Sequence, residues 1–367
     1  MLDMTKTIEN TSIDTFLKKL RGHQLSIDAD IKTYCESWVS TVNEQFGAPA
    51  SQSVGAYAEI LSRGGKRIRG SLAMQVYESF GGNDLEDILK LARVLEMVHA
   101  YLLVIDDMQD NSTVRRGGKT AHEILTDFHV REHLRGDPAH FGRSQAINGA
   151  IVGSHQAMIE LTALKTPHKV ALISHLNSTL VATAMGQFYD IFNEVVETVD
   201  ETYIYNALEW KTAYYTISNP LFMGGLMAGA KKPDLEVLVN FGRKAGIAFQ
   251  MSDDILCTFS NESELGKPPM EDMREGKRTL LIIKTLQQAN KVDALFFEQM
   301  LGNSQLSQSQ FEHCKKIMIE SGGLQEARKL LEISCREAKS VVVNSGLPID
   351  LKTYLLGLVE YMEIRKS

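Results

Sequence analysis

Two clusters of acids carry the strongest chemical signal in the 367 residues. In Asp106-Asp107-Met108-Gln109-Asp110 the first and last carboxylates are four positions apart. A helix would present these two on one face, with Asp107 turned about 100° away. Oxygen ligands without histidine or cysteine suit a hard cation such as magnesium, which keeps waters and shares its shell with phosphates. A second pair, Asp253-Asp254, has Gln250 about one turn before it and Cys257 about one turn after it. Each cluster closes a run that is apolar on most sides, VLEMVHAYLLVIDDMQD and GRKAGIAFQMSDDILCTF. Burying carboxylates there costs several kcal/mol or more unless positive charge meets them, and the helix dipole opposes acids near a C-terminal end. Both runs therefore ask for a cation, and two helices of a bundle could set their acids around one shared polyanion. Basic residues suited to phosphate oxygens occur at Lys66-Arg67-Ile68-Arg69, Arg115-Arg116, Lys211, Lys267 and Lys277-Arg278. Gly64-Gly65-Lys66 lacks P-loop spacing, so ATP chemistry is not indicated.

The elements that must hold these groups read as helices throughout. Leu91, Leu95, Val98 and Leu102 recur at helical spacing within 85–107, and the same period runs through 138–164, 171–196, 235–259 and 324–343. No bounded alternation of period two is present, so a sheet is not expected. Breaks fall at Gly81–Asp84, Thr166-Pro167, Lys231–Asp234 and Gly266–Pro269. The eight prolines are few for this length, in keeping with long helices. No Ser/Gly/Pro-rich linker divides the chain. One all-α domain over 26–367 is expected, with residues 1–25 as a loosely attached arm.

A net charge of −7 argues against nonspecific nucleic-acid binding. The four cysteines form no C-x-x-C pair, which fits a reducing cytoplasm rather than a disulfide framework. Cys35, Cys314 and Cys335 read as buried thiols, and the 15 scattered methionines as core filling. No stretch is long and apolar enough to span a membrane. His129 and His133 are four apart but lie in the polar run DFHVREHLRGD, so a solvated helix face is expected there rather than a metal site.

These residues resemble the trans-isoprenyl diphosphate synthases, or polyprenyl synthetases. The resemblance covers residues 55 to 285 in order: GGKRIRG (with Gly70 where proline is usual), EMVHAYLLVIDDMQDNSTVRRG, MGQFYD, EWKTAYY, FQMSDDILCTF and GKPPMEDMREGKRTL. RGDPAHFGRSQAI is similar to short-chain bacterial geranylgeranyl diphosphate synthases, although Asn148-Gly149-Ala150 departs from their pattern. The resemblance implies an isoprenoid-synthase helical bundle around a central apolar cavity. It implies an isopentenyl diphosphate site at Lys66, Arg67, His99 and Arg116. An allylic diphosphate would be held through Mg2+ by Asp106, Asp110 and Asp253, with Arg115, Lys211, Lys267 and Lys277 on its oxygens. Asp107 and Asp254 would act through water or neighbouring ligands. Thr212 and Gln250 would lie beside the reacting carbons, with Gln187 lining the site. Cys257 stands where the second motif has its third acid.

The implied reaction is a 1'-4 condensation of isopentenyl diphosphate with an allylic diphosphate, by an expected cytoplasmic homodimer. Tyr101 and Leu102, five and four before Asp106, would set product length. An aromatic at Tyr101 alone resembles geranylgeranyl-type (C20) members, with farnesyl (C15) as the alternative. A terpene cyclase would have no use for the Lys66, Arg67 and Arg116 group. A noncatalytic subunit that adjusts a partner synthase could dispense with an acid motif, yet the first is complete here.

Overall fold

An apolar stripe runs along the first helix. In a computed structural model, which describes residues 4–260 and 269–364, α1 runs from Met4–Phe46 and stops at Gly47, whose φ of 82° only glycine adopts readily. Phe16, Leu20, Ile27, Ile31, Cys35, Trp38 and Val42 fall on one face and are buried. The helix is continuous through residue 25, where the expected arm would end.

The remaining helices are α2 (Ala48–Ser62), α3 (Ile68–Ser79), α4 (Leu85–Gln109), α5 (Ala121–Arg131), α6 (Pro138–Thr162), α7 (Lys169–Val195) and α8 (Glu201–Ala207). A π-helical segment follows over Leu208–Ser218, then α9 (Asn219–Met227), α10 (Lys232–Phe259) and α11 (Glu271–Glu275). The chain ends with α12 (Leu280–Gln288), α13 (Lys291–Met300), α14 (Gln308–Glu320), α15 (Gly323–Val343) and α16 (Ile349–Ile364). The structure is 81% helical, as the periodicity requires. Among the described residues the only sheet is a two-residue hairpin, β1 (Val114–Arg115) against β2 (Gly118–Lys119). Period-two reasoning could not register strands so short.

The contacts group the chain into two compact units. The first, Lys18–Ile173, packs α4 against α3 and α6, and α6 against α2 and α5. Close approach of α6 depends on its small residues: a Cβ on Gly149 would lie 2.5 Å from the Ser53 carbonyl oxygen, and one on Gly153 would meet the Tyr57 ring at 2.3 Å. Asp84 caps α4 by accepting from the Asp87 amide at 3.0 Å, and Asp137 with Pro138 starts α6.

The second unit runs from Ser174 onward together with the start of the chain as far as Leu17. Its α10 packs on the π segment and α15, and α15 on α12 and α16. Phe16 lies here against Tyr354 and Tyr361, with ring centroids 5.0 and 5.6 Å away. Cys35, Cys314 and Cys335 are buried as expected. His129 is not on a solvated face. It is 2% exposed, bonds the Arg135 carbonyl through Nε2 at 3.1 Å and packs on Phe141.

Candidate active site

In the first unit, the end of α4 brings its acids to a two-residue turn. Arg116 and Gly117, with φ of 51° and 73°, occupy the centre of the hairpin, the all-positive pattern of a type I′ turn. Asp107 is fully buried, and Arg115 donates to its Oδ1 through Nε at 2.7 Å and also through Nη2. The same guanidinium lies 3.6 Å from Asp106. Burial pushes the Asp107 carboxyl up to about 6 against the pull of Arg115, and its Oδ2 is buried with no hydrogen-bond partner. Asp106 and Asp110 are only half-buried, on one face as their spacing requires.

Arg116 takes the opposite course. It donates to the Gly64 carbonyl, and its Nη2 lies 3.3 Å from His99 Nε2. A guanidinium has no acceptor, so this ring nitrogen must be the unprotonated one. Consistently, burial and then the charges of Arg69, Arg116, Arg115 and Arg67 hold His99 well below the usual imidazole range. Burial also lowers Arg116 to about 10. Lys66 is exposed at the mouth of the same loop.

Arg67 is near enough for its charge to act on His99 and Arg116, but its hydrogen bonds go elsewhere. Its side chain is 1% exposed, with Nε on Asp28 at 2.7 Å, Nη1 on Glu96 at 3.3 Å and Nη2 on the Leu61 carbonyl at 2.8 Å. Three of its five N–H groups are thus engaged within the protein, one from each nitrogen. Arg69, part of the basic cluster but given no role by the family resemblance, is the arginine whose charge bears most on His99. Its position three after Lys66 was the available signal. Gly70 stands where proline is usual because its amide donates to Glu96 at 3.2 Å, and any Cβ there would lie 2.7 Å from Ile27.

In the second unit, the π segment carries Lys211 and Thr212. Its wider turn is a feature that recurs at functional sites. Three glycines bring neighbours onto it: a Cβ on Gly186 of α7 would lie 2.1 Å from the Lys211 nitrogen, one on Gly246 of α10 2.4 Å from Ala213 Cα, and one on Gly242 2.5 Å from Ser218 Cα. Lys211 Nζ pairs with Asp190 of α7 at 2.6 Å. Thr212 donates its hydroxyl to Gln250 Oε1 at 2.9 Å, and Gln250 Nε2 donates to Asp254 at 2.7 Å. Burial pushes Asp254 up to about 7. Its bond from Gln250 opposes this, and the charges of Asp272, Asp253 and Asp190 add to it. Lys277 Nζ is 3.2 Å from Glu275. Gln187 is on α7 one residue from Gly186, Cys257 is half-buried on α10, and Lys267 lies outside the described residues. Asp190 and Asp272 were not singled out in the sequence, although Asp190 is three residues after Gln187.

Both acid sets offer oxygen alone, and each holds a carboxyl raised by burial. That chemistry fits a hard divalent cation. Among the described residues no three acid, histidine or cysteine side chains close around a metal by themselves, so phosphate oxygens or water would have to complete its shell.

A family model described as polyprenyl synthetase matches residues 52–318, a span that takes in parts of both units. Geranylgeranyl diphosphate synthase of Saccharolobus solfataricus is 30% identical over 294 residues, 80% of this chain and 81% of that one. Geranylfarnesyl diphosphate synthase of Aeropyrum pernix is 28% identical over 310 residues, 84% of this chain and 92% of that one. A geranylgeranyl pyrophosphate synthase of Corynebacterium glutamicum, solved with isoprenyl diphosphate and magnesium, superposes with a TM-score of 0.83 at 27% identity, with both chains covered in full.

Proposed function

Because the chain belongs to the polyprenyl synthetase family and is a prenyltransferase that elongates prenyl chains, we propose that it joins isopentenyl diphosphate to an allylic diphosphate and makes mainly the C20 product. The observation that carries this reading is the divergence of Arg115 and Arg116. Adjacent arginines engage different surroundings, the acids of α4 for one and His99 with the Gly64 loop for the other. Two separated anion sites suit two diphosphate substrates, whereas a cyclase consumes one. The presence of both acid sets likewise disfavours a noncatalytic subunit.

In this reading Lys66, Arg69, His99 and Arg116 bind isopentenyl diphosphate. Arg69 takes the place first given to Arg67. Asp106, Asp110 and Asp253 would hold Mg2+, which when bound neutralises the leaving diphosphate and polarises its oxygens. Arg115, Lys211, Lys267 and Lys277 donate to those oxygens, and Asp107 fixes the Arg115 fork. Thr212, Gln250 and Asp254 form one hydrogen-bonded chain, which sets the Gln250 amide with its oxygen toward Thr212. These oxygens favour positive charge on nearby carbon. The allylic C–O bond breaks with its electron pair leaving on diphosphate. The isopentenyl double bond then attacks the cation, and a proton is lost, most simply to the departed diphosphate.

Relatives named for both C20 and C25 products leave length to be measured. Tyr101 and Leu102, half-buried on α4 one turn before Asp106, are the proposed floor of the tail channel. A second copy of the chain is the proposed cover for the α7 stripe of Val181, Met185, Phe188, Phe192 and Val195, which is 38–76% exposed. No described helix is long and apolar enough to cross a membrane, in keeping with the cytoplasmic setting proposed. The test is product analysis with labelled isopentenyl diphosphate, magnesium and dimethylallyl, geranyl or farnesyl primers. C20 alcohol should dominate after dephosphorylation, and Tyr101→Ala should add at least one isoprene unit. Failure to consume isopentenyl diphosphate with every primer would refute the reading.

A further inference from the structure

We infer that the first helix is part of the isopentenyl diphosphate site: Gln24 and Asp28 of α1, with Glu96 of α4, are positioning residues that hold the loop bearing Lys66, and the first turn of α3 bearing Arg69, in their binding shape. The inference rests on the function proposed above and extends it to two residues of α1, Gln24 and Asp28, outside the family motifs.

Arg67 stands at the start of α3 with φ of 50°, a left-handed backbone that a side-chain-bearing residue keeps only when its surroundings impose it. The surroundings are specific. Asp28 takes Nε, Glu96 takes Nη1 and the Leu61 carbonyl takes Nη2. Gln24, one turn before Asp28, donates to the Gly65 carbonyl at 2.7 Å. Glu96 also accepts from the Gly70 amide, so one carboxylate ties the loop exit to the first turn of α3. On its other side the loop meets a substrate arginine. Arg116 donates to Gly64, and a Cβ on Gly65, at φ of 127°, would sit 3.0 Å from its Cζ. Arg63 of the loop returns the contact by donating to the Arg115 carbonyl at 2.8 Å. The loop is thus held between α1 and the hairpin, and its shape decides where Lys66, Arg69 and Arg116 stand relative to one another. Releasing the α1 side should scatter those cations while leaving the acids of α4 in place.

Asp28 is the useful point of attack because its side chain is 36% exposed and Arg67 keeps Glu96 and Leu61 when it is neutralised, so the fold should survive. In Asp28→Asn, loss of one charge-assisted bond should raise KM for isopentenyl diphosphate roughly tenfold, with the allylic KM within about twofold of wild type. Gln24→Ala, which cuts a different bond to the same loop, should shift the same constant in the same direction, and Asp28→Glu should restore most of the loss. Direct titration of isopentenyl diphosphate, with unfolding midpoints recorded alongside, should show the same weakening without a matching fall in stability. Equal rises in both Michaelis constants, or unchanged constants in both variants, would overturn the positioning role while the condensation reading stands. A wild-type protein that consumes no isopentenyl diphosphate would overturn both.

Discussion

Substituting Gly186 by alanine tests whether the π segment owes its place to the helix packed on it. The added Cβ would lie 2.1 Å from the Lys211 nitrogen and 2.7 Å from both Lys211 Cα and the Trp210 carbonyl carbon. All three are backbone atoms, so no side-chain rotation relieves the clash. Ordinary contact begins near 3.4 Å, so α7 and the π segment must part by about 1.3 Å at this point. Overpacking of this kind costs about 1–3 kcal/mol. The functional loss should be larger than that stability change implies, because Lys211 and Thr212 move with the segment and the 2.6 Å pair from Lys211 to Asp190 spans the same two helices. A misplacement near 1 Å is worth on the order of 100-fold in turnover. Gly186→Ala should therefore lower kcat by about that factor while most of the protein remains folded, read by steady-state kinetics beside urea unfolding. Gly55→Ala, where nothing lies within 4 Å of the added carbon, is the control and should leave both readings near wild type or slightly raise stability. A Gly186→Ala enzyme with wild-type turnover and midpoint would show that this contact does not set the segment.

In the metal-free protein Asp254 should cost stability as pH rises. Its folded value near 7 stands against 3.8 unfolded, so the fold keeps a proton that the unfolded chain releases, and stability present below about pH 4 is lost by about pH 7. At about 1.4 kcal/mol per unit the full effect is at most about 4 kcal/mol. Asp254→Asn should remove it, so that the gap between urea midpoints of variant and wild type changes between about pH 4 and 7; a gap that does not change with pH would refute the assignment. Arg69→Ala and Arg116→Ala should each raise KM for isopentenyl diphosphate at least about tenfold, whereas Arg115→Ala should act on the allylic primer. Equal effects on both substrates would mean that the hairpin does not separate two anion sites.

Helices α4, α6, α7, α10 and α15 lie within a few residues of where apolar period and breaking residues put them, because both signals are local. The π segment left no such trace: its bonding pattern differs from that of an α-helix by one residue per turn, and the glycines that seat it are on α7 and α10, far from it in sequence. The type I′ hairpin was written in Arg116-Gly117 but was too short for a periodicity to announce. At the site, residue types and spacings were legible and directions were not. Asp106 and Asp107 are adjacent, yet one is half-buried and the other sealed against Arg115. Arg115 and Arg116 are adjacent, yet the positive φ at Arg116 turns the chain between them. Arg67 and Arg69 both sit beside Lys66 in a basic motif, and a motif weighs them alike. The left-handed backbone at Arg67 separates them, aiming one arginine at Asp28 and Glu96 and setting the other in the first turn of α3, where its charge reaches His99. Adjacent like charges are thus sent into different surroundings, and for both arginine pairs a positive φ, at Arg67 and at Arg116, marks where the chain divides them.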